Sequence, residues 1–292
     1  MAWSKAAGII AANVSKAAYP AIYTGPNTHV FYENVPYSLS LVSRLFPSEL
    51  EPKELLWIRY SFSDLEWAEN EAKARLSYGD YNRIAANQGG TLAGSNCNLS
   101  TKNCRGSYQQ TGPSGTSVVM QGVDNALPTD ISDVANLTTG MLEAHEYFHS
   151  LQRIPIMNRG VEKWPHAWWR EGSAEWVKNA TINYTNFELY KNFLRDVCSY
   201  SCQPLSEADI AEFLTLADGN SLPSKFDQFL NYSLGQHVIE ILVALKDADV
   251  LIDMYAEMGH GLSFSDAFNK IFGLTWSSAI PIIAKSIYRD LH

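Results

Sequence analysis

The chain has 292 residues, 46% of them apolar, and carries a net charge of -9. That composition supports a large buried core and excludes disorder, while an acidic chain without long charge runs excludes nucleic acid and anionic membranes as partners. No stretch approaches the ~20 uninterrupted apolar residues of a transmembrane helix, so a soluble protein is expected.

The opening MAWSKAAGIIAANVSKAAYP has a short apolar patch broken by Asn13, Ser15 and Lys16. It reads as an amphipathic helix of a mature chain rather than a signal peptide. THVFYENV (28–35) then reads as a strand, SLSLVSRLF as a short helix, ELLWIRYSF as a strand, and SDLEWAENEAKARL as a helix with Ser63 at its N-cap. Residues 78–115 lose periodicity and fill with Gly, Asn, Ser and Thr, which predicts a long surface loop. GTSVVMQGV is expected to be a strand placed to pair with an extended substrate. From about residue 160 the periodicity is helical in every segment, from WWREGSAEWVKN through KFDQFLNYSLGQHVIEILVALK to SSAIPIIAKSIYRDL. This order predicts an α+β fold: an N-terminal α/β lobe over 1–155 and a mostly helical lobe over 156–292.

Four cysteines fall as two local pairs, Cys97 with Cys104 and Cys198 with Cys202. Without a C-x-x-C spacing they read as two disulfides rather than a metal site, which points outside the cytoplasm.

At the join of the two lobes stands AHEYFHSLQ, residues 144–152. Leu137, Met141, Ala144, Phe148 and Leu151 recur at helical spacing, so this segment is expected to be a helix. On such a helix His145 and His149 share a face and can reach one ion, with Glu146 about 100° round beside it. A zinc ion that does chemistry needs a third protein ligand and an open position. Downstream, Glu162, His166, Glu171 and Glu175 are the candidates. WWREGSAEW favours Glu171: Glu171 and Glu175 lie one turn apart on one face, and Gly172 and Ala174 are small enough to let that helix approach the two-histidine helix.

HEYFHSLQ followed by Glu171 in WWREGSAEW resembles the gluzincin metallopeptidases, the thermolysin-like and aminopeptidase N-like enzymes, and most closely their peptidase MA-like branch. The resemblance implies a gluzincin-type catalytic domain with its active site in a cleft between the two lobes. It implies one catalytic Zn2+ held by His145, His149 and Glu171, with Glu146 as the base. Glu175 would then orient a ligating histidine. FLNYSLGQHVIEIL resembles the Y-x-x-G helix of the aminopeptidase N-like enzymes, which makes Tyr232 the group that stabilises the tetrahedral intermediate. The likeness covers residues 115–292 by motif and the remainder in outline. One departure is informative: where aminopeptidases carry G-A-M-E-N, this chain reads VVMQGVDNA, without a glutamate to bind a substrate amino terminus.

The expectation is therefore a secreted zinc metallopeptidase acting on a peptide or protein, an endopeptidase rather than an exopeptidase. His166, Trp168 and Trp169 are candidate substrate-binding residues, with an aromatic core as the other reading of the tryptophans. His237 and His260 read as structural. The alternative function is a catalytically degenerate zinc protein acting as an extracellular binding module.

Overall fold

The computed structural model describes residues 1–47, 51–157, 164–199, 201–202, 204–216 and 222–292, with Ile131 and Ser132 described in backbone only. Glu162 lies outside the described residues. In chain order the helices and strands are α1 (Ala2–Ala12), β1 (Ala21–Thr24), α2 (Val35–Leu45), β2 (Glu54–Tyr60), α3 (Leu65–Arg75) and α4 (Tyr78–Asn87). Next come β3 (Cys97–Asn98), β4 (Asn103–Cys104), β5 (Gly106–Thr111), β6 (Thr116–Gly122), α5 (Ile131–Thr138) and α6 (Met141–Arg153). The rest is helical: α7 (Ala167–Ile182), α8 (Phe187–Cys198), α9 (Glu207–Leu216), α10 (Leu230–Leu245), α11 (Val250–Gly259), α12 (Phe264–Phe272) and α13 (Trp276–Leu291). The fold is mixed α+β with a small sheet, and no helix among the described residues is long and apolar enough to cross a membrane.

The chain divides into two units. The β unit is Ser15–Ser43 with Pro47–Ile154, and the helical unit is Met1–Val14, Arg44–Phe46 and Pro155–His292. Sequence alone assigns the first fourteen residues to the N-terminal lobe. In the structure α1 buries Ala2, Ala6 and Ile10 and packs on α7 and α10, so it belongs with the helices.

In the β unit four strands run in the order β1-β2-β6-β5, the first three parallel and β5 antiparallel at the edge. The two central strands, ELLWIRY and TSVVMQG, are almost wholly buried, as expected of parallel strands covered on both faces. Alternation sends Leu56, Ile58, Tyr60, Val118 and Met120 to one face, against Ala68 and Ala72 of α3 and Ile84 and Ala85 of α4. The opposite face carries Trp57, Arg59, Ser117 and Gln121, and α6 packs there.

Three expectations are corrected in this unit. THVFYENV is not a strand; β1 lies earlier, at Ala21–Thr24. The Asp64 carboxylate holds the loop that follows it, accepting from the backbone N–H and side-chain amide of Asn27 and from the Thr28 hydroxyl. Residues 78–115 are not one loop, since they contain α4, the disulfide-bridged β3-β4 hairpin and β5. Finally, β6 is paired on one side by β2 and on the other by β5, so its backbone has no edge to offer a substrate.

In the helical unit α7 and α10 form the central pair. They cross at Gly172 and Gly235: a Cβ on Gly235 would lie 2.5 Å from the Trp168 carbonyl oxygen and 3.0 Å from the Gly172 Cα. The small residue of WWREGSAEW therefore serves the approach of α7 to α10. The second disulfide, Cys198–Cys202, closes the end of α8, and both expected pairings are present.

Candidate metal centre

The candidate ligands stand on α6, which carries His145 and His149, and on α7, which carries Glu171. α6 begins after Gly140, which sits at φ 89°, and a Cβ there would come within 2.6 Å of the Tyr32 ring. Both the backbone angle and the space require glycine. Towards the sheet, the Ser150 and Ser117 hydroxyls are 2.7 Å apart, the Gln121 amide donates to Glu143 at 3.3 Å, and the Tyr147 hydroxyl donates to the Glu51 carboxylate. These contacts fix the rotation of α6 about its axis.

His145 and Glu146 are buried, and His149 is partly exposed. The two imidazoles meet edge to face, at 84° with centroids 4.7 Å apart, and their Nε2 atoms are 3.0 Å from one another. Two ring nitrogens aimed at one point need a proton or a cation between their lone pairs. Across a tetrahedral zinc with Zn–N of ~2.0–2.1 Å, two nitrogens would stand about 3.3 Å apart, so the pair is set close to that spacing. The outer nitrogen of His149, Nδ1, lies 2.7 Å from Oε1 of Gln152.

Within the helical unit, Glu171 is 12% exposed at its side chain, and its Oε1 accepts from Nε of Arg170 at 2.8 Å. Burial works against the Arg170 charge, but Glu171, Tyr255 and Tyr232 outweigh it and hold its pKa above the ordinary arginine value. Glu171, Arg170, Tyr232 and Tyr255 therefore share one electrostatic neighbourhood. Glu175, one turn on, is buried and accepts from the buried Lys178 ammonium at 2.7 Å.

One ligand atom from each of His145, His149 and Glu171 lies within 4.8 Å of the other two, and among the described residues no other trio of His, Cys, Asp or Glu comes together this way. Two neutral imidazoles and a carboxylate are the donor set of a catalytic zinc site that keeps a fourth position open. The residues fit the ion.

No known protein family, curated protein or solved structure matches the chain. What the site can do rests on its own geometry.

The remaining candidates are placed as follows. Trp168 and Trp169 are fully buried, in a cluster with Phe264 and Trp276 whose ring centroids lie between 5.2 and 5.8 Å apart. Packing is their role there. His166 stands at the N-cap of α7, its ring 4.1 Å from that of Phe264. Tyr232 lies in the first turn of α10, partly exposed.

Four residues near the site went unnoticed in the sequence: Glu143, Gln152, Arg170 and Lys178. Burial pushes the Glu143 carboxyl up to about 7, against the opposing effects of its own backbone N–H, Gln121 and Arg59. A signal for it existed, because Arg59, Ser117 and Gln121 are polar positions on strands that otherwise read as buried. Such residues on a central strand need a polar partner on the covering helix.

Proposed function

We propose that the chain is a zinc-dependent endopeptidase of the gluzincin type that works outside the cytoplasm. The observation that carries this reading is the convergence of the His145 and His149 Nε2 atoms, with a Glu171 ligand atom in the same group, on a helix that also holds the buried Glu146. Held by these three residues, zinc would supply Lewis acidity, lowering the pKa of a water towards about 7 and polarising the scissile carbonyl. Glu146 takes the proton of the attacking water and returns it to the leaving amine. The Tyr232 hydroxyl donates a hydrogen bond to the oxyanion. Glu175, its charge matched by Lys178, orients a ligating imidazole.

An extended peptide would pair with the backbone edge of β5, which among the described residues is paired by β6 alone. The stretch VVMQGVDNA supports cleavage within chains rather than at their ends. Its one carboxylate, Asp124, already accepts from the Asn103 amide at 2.7 Å and the Ala126 N–H at 3.2 Å, and the Gln121 amide is engaged by Trp57 and Glu143. Little remains there to hold a free amino terminus. The two disulfides, with no free cysteine, support an oxidising compartment.

Peptide hydrolysis by the purified chain is expected to stop on chelation and to return when zinc is restored. In His149→Ala added zinc should not restore it. Hydrolysis that survives chelation would remove the metal from the mechanism.

A further inference from the structure

The two histidines of α6 do not enter the site on equal terms. Two contacts bear on the tautomer of His149. Its Nε2 faces the Nε2 of His145 at 3.0 Å, and its Nδ1 faces Oε1 of Gln152 at 2.7 Å. Gln152 is one turn further along the same helix, 1% exposed, so its amide is held inside the protein rather than exchanging partners with solvent. An amide oxygen only accepts, so the ring nitrogen facing it must carry the hydrogen. In a neutral imidazole that leaves the lone pair on Nε2, directed at the candidate metal position.

We infer that Gln152 is the positioning residue that fixes the tautomer and ring plane of His149, so that this ligand is ready to bind zinc before the ion arrives. The inference rests on the reading of His149 as a zinc ligand.

The hydrogen bond is internal to one helix, so it forms with the helix and requires no loop to close. Losing the partner that sets a ligating imidazole typically weakens metal binding by roughly 10–100-fold, because the ring must be ordered and its proton moved during binding.

The test uses the full chain stripped of metal, with its Gln152→Met and Gln152→Glu variants. In the metal-free parent at neutral pH, 15N NMR of the ring nitrogens should find His149 protonated on Nδ1, a measurement that needs no variant to fold. In Gln152→Met the same ring should show both tautomers. Zinc affinity, read by competition with a chromogenic chelator, should fall roughly 10–100-fold in Gln152→Met and recover to within a few-fold in Gln152→Glu, which keeps an acceptor oxygen. A parent His149 protonated on Nε2 overturns the assignment. So does zinc binding unchanged in both variants, or weakened equally in both, since the latter marks packing rather than the acceptor. A parent with Nδ1–H on His149 that takes no zinc overturns the zinc reading itself and leaves the hydrogen bond standing, so the two failures are told apart.

Discussion

Tyr232 and His237 sit on adjacent turns of α10 and illustrate two different uses of a polar side chain. Tyr232 is partly exposed and lies within electrostatic reach of Arg170, and the role proposed for its hydroxyl is to meet charge as it develops on a substrate. Removing that hydroxyl in Tyr232→Phe should lower kcat by roughly 100-fold or more with little change in KM, the pattern of a contact made in the transition state. An unchanged kcat in steady-state assays would take Tyr232 out of the site. His237 is buried, and burial lowers its pKa from 6.5 to about 4, against a hydrogen bond to the Leu194 carbonyl that acts the other way. Between those values the unfolded chain binds the proton and the folded chain does not. Stability from this group is complete above about pH 6.5 and is lost as pH falls towards 4, by roughly 3 kcal/mol. Denaturant titrations at pH 7 and pH 4.5 should show that loss in the parent, and His237→Gln should flatten it. Equal pH sensitivity in both proteins would place the acid transition elsewhere.

The helices that present the site are held by contacts of unequal visibility in the sequence. α6 was legible because its apolar stripe of Met141, Ala144, Phe148 and Leu151 is unbroken, and all four are buried. The pairing of α7 with α10 was half legible. Gly172 announced a close approach, but the sequence reading gave it to the two-histidine helix; the partner is Gly235 of α10, more than sixty residues away, and no local pattern names a tertiary neighbour. Gly235→Ala would press a methyl group onto the Trp168 carbonyl and the Gly172 backbone, atoms that cannot rotate aside. It should destabilise the chain by about 1–3 kcal/mol, read as a lowered Tm, and displace Tyr232 relative to Glu171. A Tm within a degree of the parent would contradict the crossing. α4 was missed for a different reason. Its periodicity is weak, yet Ser77 and Asp80 form a reciprocal cap, the Ser77 hydroxyl accepting from the Asp80 N–H at 3.1 Å and donating to its carboxylate at 2.7 Å. That S-x-x-D signature was present and carried the helix start. β5 could not be read, because GSYQQT is polar on both faces and becomes a strand only through pairing with β6.

At the scale of the whole molecule, composition and order were enough for an α+β chain with a sheet before a run of helices, and local cysteine spacing was enough for both disulfides. The allegiance of α1 was not, since a short helix buries its Ala2, Ala6 and Ile10 equally well against either unit and the sequence does not say which. The disulfides close short loops, with sequence separations of 7 and 4, and loop entropy gives each about 2 kcal/mol. Replacing either pair by alanine should lower Tm by roughly 5 °C without preventing folding, and a calorimetric scan that finds no change would make them dispensable. The proposed function makes the trio of His145, His149 and Glu171 act with Glu146, and that proposal has a direct test. A mixed peptide library is incubated with the zinc-loaded chain and, at equal zinc occupancy, with Glu146→Gln. The account predicts internal cuts by the parent and at least a ~100-fold loss in the variant. Equal cleavage by both, or none by a parent shown to hold zinc, would contradict it.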